Sequence, residues 1–180
     1  MENTLANQNW KSLIKPTKLN IQSNEDKSTT RIIAEPLEKG YALTLGNSLR
    51  RILLSSIQGS AITAIQIDGV LHEFTSIKGV SEDVTDIVLN LKSLFLKVLS
   101  DGPKKLILDV KGPGEIKAKD IQPNPEVTIL NPDLVICHLD ENTKFHMELT
   151  ANTGKGYSPS EKNKKDDAPL GLITIDALYS

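Results

Sequence analysis

At 180 residues the chain has room for one domain or two small ones, and its 38% of hydrophobic residues can bury a substantial core. Aromatic residues make up 4%, so that core should be aliphatic. The formal net charge of −2 argues against a protein whose main task is gripping nucleic acid, for which a basic face is the footprint.

The single cysteine, Cys137, excludes an internal disulfide and suits a reducing cytoplasm; its plainest reading is a small buried hydrophobe. Met1–Lys11 has neither a basic leader nor an apolar run, so no secretory signal is expected. The most apolar stretch, Ile87–Leu99, is interrupted by Asn90, Lys92 and Lys97 and is too short to span a bilayer.

In chain order, Met1–Pro16 reads as a loosely held leader anchored by Trp10. Lys18–Gln22 and Thr30–Glu35 read as strands joined by the polar turn Ser23–Lys27, a hairpin. Pro36 ends the second strand, and the Gly40 region leads into Thr44–Ser56. There Leu45, Leu49, Ile52, Leu53 and Ser56 follow helical spacing. Its first turn contains Gly46 and Asn47, each up to ~1 kcal/mol worse than Ala in a helix. A small residue there suits close approach of another backbone. Arg50 and Arg51 are consecutive and leave the helix about 100° apart, so both cannot be idle on one solvent face. The reading is a helix with one apolar face in its own core, a small-residue notch and an arginine aimed at a partner; the bland alternative is an amphipathic core helix with two solvated arginines.

Ala61–Ile67 reads as a strand, with Ile65 and Ile67 alternating against Gln66. Asp68-Gly69 signals a turn, and Val70–Phe74 completes a strand–turn–strand corner. Ser81 is the expected N-cap of a helix with the stripe Val84, Ile87, Val88 and Leu91. Past Ser93 the period changes, and Phe95, Lys97 and Leu99 against Leu94, Leu96 and Val98 look like a buried strand rather than more helix. Leu106, Leu108 and Val110 alternate as another. Lys111–Pro125 is expected to be mostly turns, followed by short strands at Glu126–Leu130, Leu134–Leu139 and Lys144–Thr150. Asn152–Pro169 reads as a long polar loop, and Leu172–Leu178 as an apolar strand.

No catalytic constellation emerges. His72-Glu73 opens like a zinc-protease helix, but its second histidine would fall at Ser76. Cys137 and His138 are consecutive on a strand, so they face opposite ways, and only His72 and His146 remain to join them. Gly154-Lys155-Gly156 lacks the rest of a phosphate loop. Gly-x-Ser-x-Gly does not occur. Asp166-Asp167 sit in the polar loop, a poor place to hold a metal rigidly. Neither metal nor cofactor is expected.

The strings Glu35–Gly40, Thr44–Asn47 and Leu49–Ser56 closely resemble the amino-terminal domain of the bacterial RNA polymerase alpha subunit. Ile67–Phe74, Gly79–Asp83, Asn90–Lys92, Val135–Leu139, Gly154–Tyr157 and Ile175–Ser180 resemble it too, in the family's order. The resemblance runs from Pro36 to Ser180. Departures fall in Asp101–Pro125, Asn142–Lys165 and the Asn-rich leader.

The resemblance implies an α+β fold. A discontinuous dimerisation domain of hairpin plus helix (17–58) would follow a leader (1–16) and carry an inserted mixed β-sheet domain (59–180). The rest of the dimerisation domain and a C-terminal DNA-binding domain would lie outside this sequence. The chain would then be a non-catalytic, cytoplasmic subunit of DNA-directed RNA polymerase, dimerising and serving as the platform for the beta and beta-prime subunits. DNA would be met only through the complex or the missing domain. The beta-facing set would be Gly46, Asn47, Arg50, Arg51, Asp68, Gly69, Val70, Leu71, His72 and Glu73. Leu45, Leu49, Ile52 and Leu53 would form the dimer face, and Lys92, Ile175 and Asp176 would lie toward beta-prime. The alternative is a free-standing α+β adaptor binding a peptide or nucleic acid through an exposed sheet and the Lys-rich loop. The acidic balance and the lack of an aromatic platform weigh against its nucleic-acid version.

Overall fold

The computed structural model describes residues 5–25, 29–164 and 168–179. The side chain of Trp10 and the pair Asp166-Asp167 lie outside the described residues. The chain divides into two compact units, Met1–Ile52 and Leu53–Ser180.

In the first unit the expected leader contains a helix, α1 (Leu5–Ser12). The hairpin is as expected: β1 (Lys18–Ser23) pairs antiparallel with β2 (Thr30–Glu35). Its ends are joined by the Asn24 amide donating to the Thr29 carbonyl (3.1 Å) and the Thr29 amide donating to Asn24 Oδ1 (3.0 Å). Cross-strand partners share a face, so the register Leu19↔Ala34 and Ile21↔Ile32 collects aliphatic side chains on one side. Gly40, at φ +87°, turns the chain into α2 (Tyr41–Ser55). No described residue of this unit is buried.

The second unit holds the core. Its centre is an antiparallel sheet in the order β11-β3-β9-β5: β3 (Gln58–Ile67), β5 (Lys104–Lys111), β9 (Lys144–Lys155) and β11 (Leu172–Thr174). Along β9 the residues Phe145, Met147, Leu149 and Ala151 alternate inward and are at most 2% exposed. β3 departs from simple alternation: a register shift between Ile62 and Ala64 leaves residues 62–65 all buried. Thr63, buried at this irregularity, donates to the Thr150 carbonyl (3.3 Å). Helix α3 (Val84–Lys92) buries Val84, Ile87 and Leu91. Small antiparallel pairs flank the sheet, among them β4 (Leu96–Val98) with β7 (Val127–Ile129), and β6 (Gly114–Lys117) with β8 (Val135–Leu139). Among the described residues the core is aliphatic apart from Phe145, Met147 and Cys137.

Several boundaries differ from expectation. Ser81 does not cap α3: Asp83 does, accepting from the Asp86 amide at 2.8 Å. Val70–Phe74 forms no strand. Lys111–Pro125 is not mostly turns, because β6 and a 3-10 turn (Ala118–Asp120) bury Ile116, Ala118 and Ile121 there. The polar tract is largely ordered too. β9 runs on to Lys155, β10 (Tyr157–Ser158) follows, and a single helical turn, α4, spans Ser160–Asn163. The final apolar strand is broken in two, β11 pairing with β3 and β12 (Ala177–Leu178) with β10.

Candidate subunit-interface surfaces

The arginine helix exposes its apolar stripe. Leu45, Leu49, Ile52 and Leu53 are about half exposed, at 47–57%, and α2 has no buried residue. A side chain added at Gly46 would meet nothing within 4 Å, so the small-residue notch is open. Asn47, Arg50 and Arg51 are exposed. The expected features coexist on one helix, and the helix by itself gives them no core.

In the second unit, residues 68–74 form a pinned loop. The Asp68 amide donates to the His146 carbonyl (3.2 Å), and Gly69 adopts φ +78° so that the Val70 amide can close a turn onto the Ile67 carbonyl (3.2 Å). Thr75 Oγ1 lies 3.0 Å from His72 Nδ1, and Thr85 Oγ1 donates to the Glu73 carbonyl (3.1 Å). Val70 is 4% exposed and belongs to the core, so it anchors the loop from below. Asp68, Gly69, Leu71, His72 and Glu73 are exposed. Two side chains outside the expected set join this surface: Phe74, 82% exposed, and Leu170, 92% exposed. The turn bearing Leu170 is held against the loop, since a Cβ at Gly171 would lie 2.8 Å from the Val70 carbonyl oxygen. Phe74 was legible as a large apolar residue after a turn. Leu170 had no such signal, because its position depends on a contact distant in sequence.

The third surface brings two expected residues together across the fold. Lys92, at the end of α3, pairs with Asp176 at 3.2 Å, and the other Asp176 oxygen accepts the Ser160 amide at 3.0 Å. That amide, and then Lys92, hold the Asp176 carboxyl below its ordinary range. Burial and the adjacent Asp176 charge push the Tyr157 hydroxyl up. Ile175 is 2% exposed, so its side chain belongs to the core and only its neighbours present a surface. Beside the ion pair runs a groove of about 520 Å³, floored by the buried Leu94 and Leu96. Phe95, Leu130, Tyr157 and Leu178 rim it, each 60–65% exposed. The signal that could have found Phe95 is the alternation just before β4, where exposed Phe95 stands between buried Leu94 and Leu96.

Cys137 is fully buried and His138 exposed on β8, facing opposite ways as the strand geometry requires. Burial pushes the Cys137 thiol up to about 12, so it stays neutral. Among the described residues no group of three or more His, Cys, Asp or Glu side chains is arranged to hold a metal ion. No helix among them is long and apolar enough to cross a membrane.

The family model described as "RNA polymerase Rpb3/RpoA insert domain" matches residues 65–180. The chain belongs to this family. It is an RNA polymerase alpha-type chain, and its α+β architecture of antiparallel sheets fits that membership. The matched range begins within β3, so the pinned loop and the Lys92–Asp176 groove lie inside it, whereas α2 and the hairpin precede it. An alpha-type chain assembles with other RNA polymerase subunits, so exposed apolar patches on its surface have a ready physical meaning.

Proposed function

We propose that this chain is a non-catalytic assembly platform within DNA-directed RNA polymerase, working in the cytoplasm without a cofactor of its own. The observation that carries the reading is the first unit's surface. Leu19, Ile21 and Ile32 of the hairpin and Leu43, Leu45, Leu49 and Ile52 of α2 are each 47–72% exposed. Aliphatic residues at that density need a covering partner. A second copy of the chain is that partner, with Leu45, Leu49, Ile52 and Leu53 at the seam. Arg51 and Arg50, the notch at Gly46 and Asn47, and the loop Asp68–Glu73 then receive the beta subunit. The Lys92–Asp176 pair and the groove beside it receive beta-prime. Nucleotide and metal chemistry belong to those large partners.

The geometry of the second unit supports an inserted-domain organisation. Tyr179 lies directly against Gly59, so the chain arrives at and departs from this sheet side by side. That adjacency is what insertion into another domain requires.

Co-expression with the large polymerase subunits from the same source, followed by affinity capture and light scattering, tests the proposal. Recovery of a complex of two copies with one beta subunit is expected. Arg51→Ala should weaken beta capture by roughly 30-fold, the equivalent of losing about 2 kcal/mol at an interface centre. Unchanged beta capture by that variant removes Arg51 from the assignment. A stable, salt-sensitive, ligand-binding monomer that ignores polymerase subunits, even when the chain is extended beyond Ser180, favours the adaptor reading instead.

A further inference from the structure

Gly79–Glu82, the segment in front of α3, runs beside β8 as an irregular extra strand. Val80 forms a bridge with Leu139, the Ser81 amide donates to the His138 carbonyl (3.0 Å), and the Asp140 amide donates to the Gly79 carbonyl (2.9 Å). One side chain reinforces these backbone ties. Glu82 turns both carboxylate oxygens on a single residue: Oε1 lies 2.5 Å from His138 Nδ1, and Oε2 accepts the His138 backbone amide at 2.7 Å. The Glu82 side chain is 19% exposed and that of His138 46%, so solvent reaches the ring more freely than it reaches the carboxylate.

The other side of the ring is acidic too. Glu115 stands opposite His138 in the β6–β8 register, with Oε1 3.9 Å from Nε2. Lys117 Nζ lies 3.3 Å from the second oxygen of Glu115 and offsets part of that charge. At the start of α3, Asp83 and Asp86 are the charged residues that follow Glu82 in the chain. The Asp83 carboxylate is committed to capping. Cys137, on the opposite face, is a neutral thiol.

We propose that Glu82, His138 and Glu115 form a proton-dependent clasp. With both ring nitrogens protonated, the imidazolium is gripped between two carboxylates and ties the 79–82 segment, and with it the start of α3, to β8. When Nε2 gives its proton to solvent, the charge between the two carboxylates is lost: the ring keeps at most a neutral Nδ1–H bond to Glu82, and the segment is held by that bond, the His138 amide on Glu82 and the backbone ties.

The titration of the two partners supports this geometry. Burial acts to raise the Glu82 carboxyl, but the bonds from the His138 ring and amide outweigh it and bring it below 4.5. The bond to Glu82 raises the His138 ring above 6.5 against the effect of burial, and the charges of Glu82 and Glu115 add to the rise. A raised histidine stabilises fully below its unfolded value and loses that contribution as pH climbs through its folded one. A lowered carboxyl stabilises above its unfolded value and loses that contribution as pH falls through its folded one. The clasp is therefore complete between about pH 4.5 and 6.5 and slackens above.

The test follows the His138 ring by NMR titration of the full 180-residue chain. Amide exchange at Ser81 and His138 is measured at pH 6 and 8.5, corrected for intrinsic rates, with Leu149 as a core reference. In the wild type the ring should titrate above 6.5, and protection at Ser81 and His138 should fall several-fold between the two pH values while Leu149 holds. Glu82→Gln should return the ring toward its ordinary value and remove the pH dependence at Ser81; Glu115→Gln should lower the ring by less. His138→Asn, which keeps a donor but cannot titrate, should show Ser81 protection independent of pH. Equal wild-type protection at both pH values overturns the proposal, whether or not the variants fold. So does a ring midpoint unmoved by Glu82→Gln.

Discussion

Gly59 and Gly154 are cross-strand partners in β3 and β9, and Tyr179 fills the space their side chains would need. A Cβ at Gly59 would collide with the Tyr179 backbone carbonyl, whereas one at Gly154 would meet the Tyr179 ring. A ring can tilt more easily than a backbone can shift. Gly59→Ala should therefore destabilise the second unit more than Gly154→Ala, each within about 1–3 kcal/mol as overpacking goes, read by urea denaturation. At the start of α3 the sequence points to Ser81 as the cap. β8 takes that segment instead, because the Ser81 amide and the Glu82 carboxylate are both engaged by His138. Asp83 was left to cap, so Asp83→Ala should cost about 1 kcal/mol while Ser81→Ala costs far less, measured on the same denaturation curves.

Elements succeed here where one face is buried by alternation. The inward set of β5, Leu106 and Leu108, is 3% and 0% exposed, and Leu108 lies opposite the fully buried Met147. Leu108→Ala leaves a cavity between packed strands and should cost about 2–5 kcal/mol in a thermal or urea melt. The same periodicity found β4, β5 and β8. It missed β6, where Gly112, Pro113 and Gly114 signal a turn and Ile116 alone marks the strand's inner face. It also stopped β9 too early, because Asn152, Thr153 and Gly154 are polar or small; register with β3 carries them into the sheet. The last apolar run was divided at Asp176, whose carboxylate is drawn to Lys92 and the Ser160 amide rather than to a strand neighbour.

At the scale of the whole molecule the two units differ in kind. Residues 62–175 supply the buried core, whereas the first unit has no buried side chain among its described residues. An amphipathic helix and a hairpin with exposed aliphatic faces gain little stability in isolation. Association should therefore be what orders this unit. Leu49→Glu is expected to reduce self-association by at least about tenfold, seen as a shift from dimer to monomer in sedimentation, because a charge would have to be buried at an apolar seam. The melting of the second unit should be unchanged, since Leu49 lies outside its core.

The sequence by itself determined the class of the fold, its aliphatic core, the hairpin, both main helices and the family. Those depend on local periodicity, turn residues and strings of residues in order. Only the tertiary structure decided that Val70 and Ile175 serve the core rather than a surface. It alone gathered Phe95, Leu130, Tyr157 and Leu178 around the Lys92–Asp176 pair, and set Glu82 against His138. These outcomes turn on register and on contacts between residues far apart in the chain, which a pattern of period 2 or 3.6 does not encode.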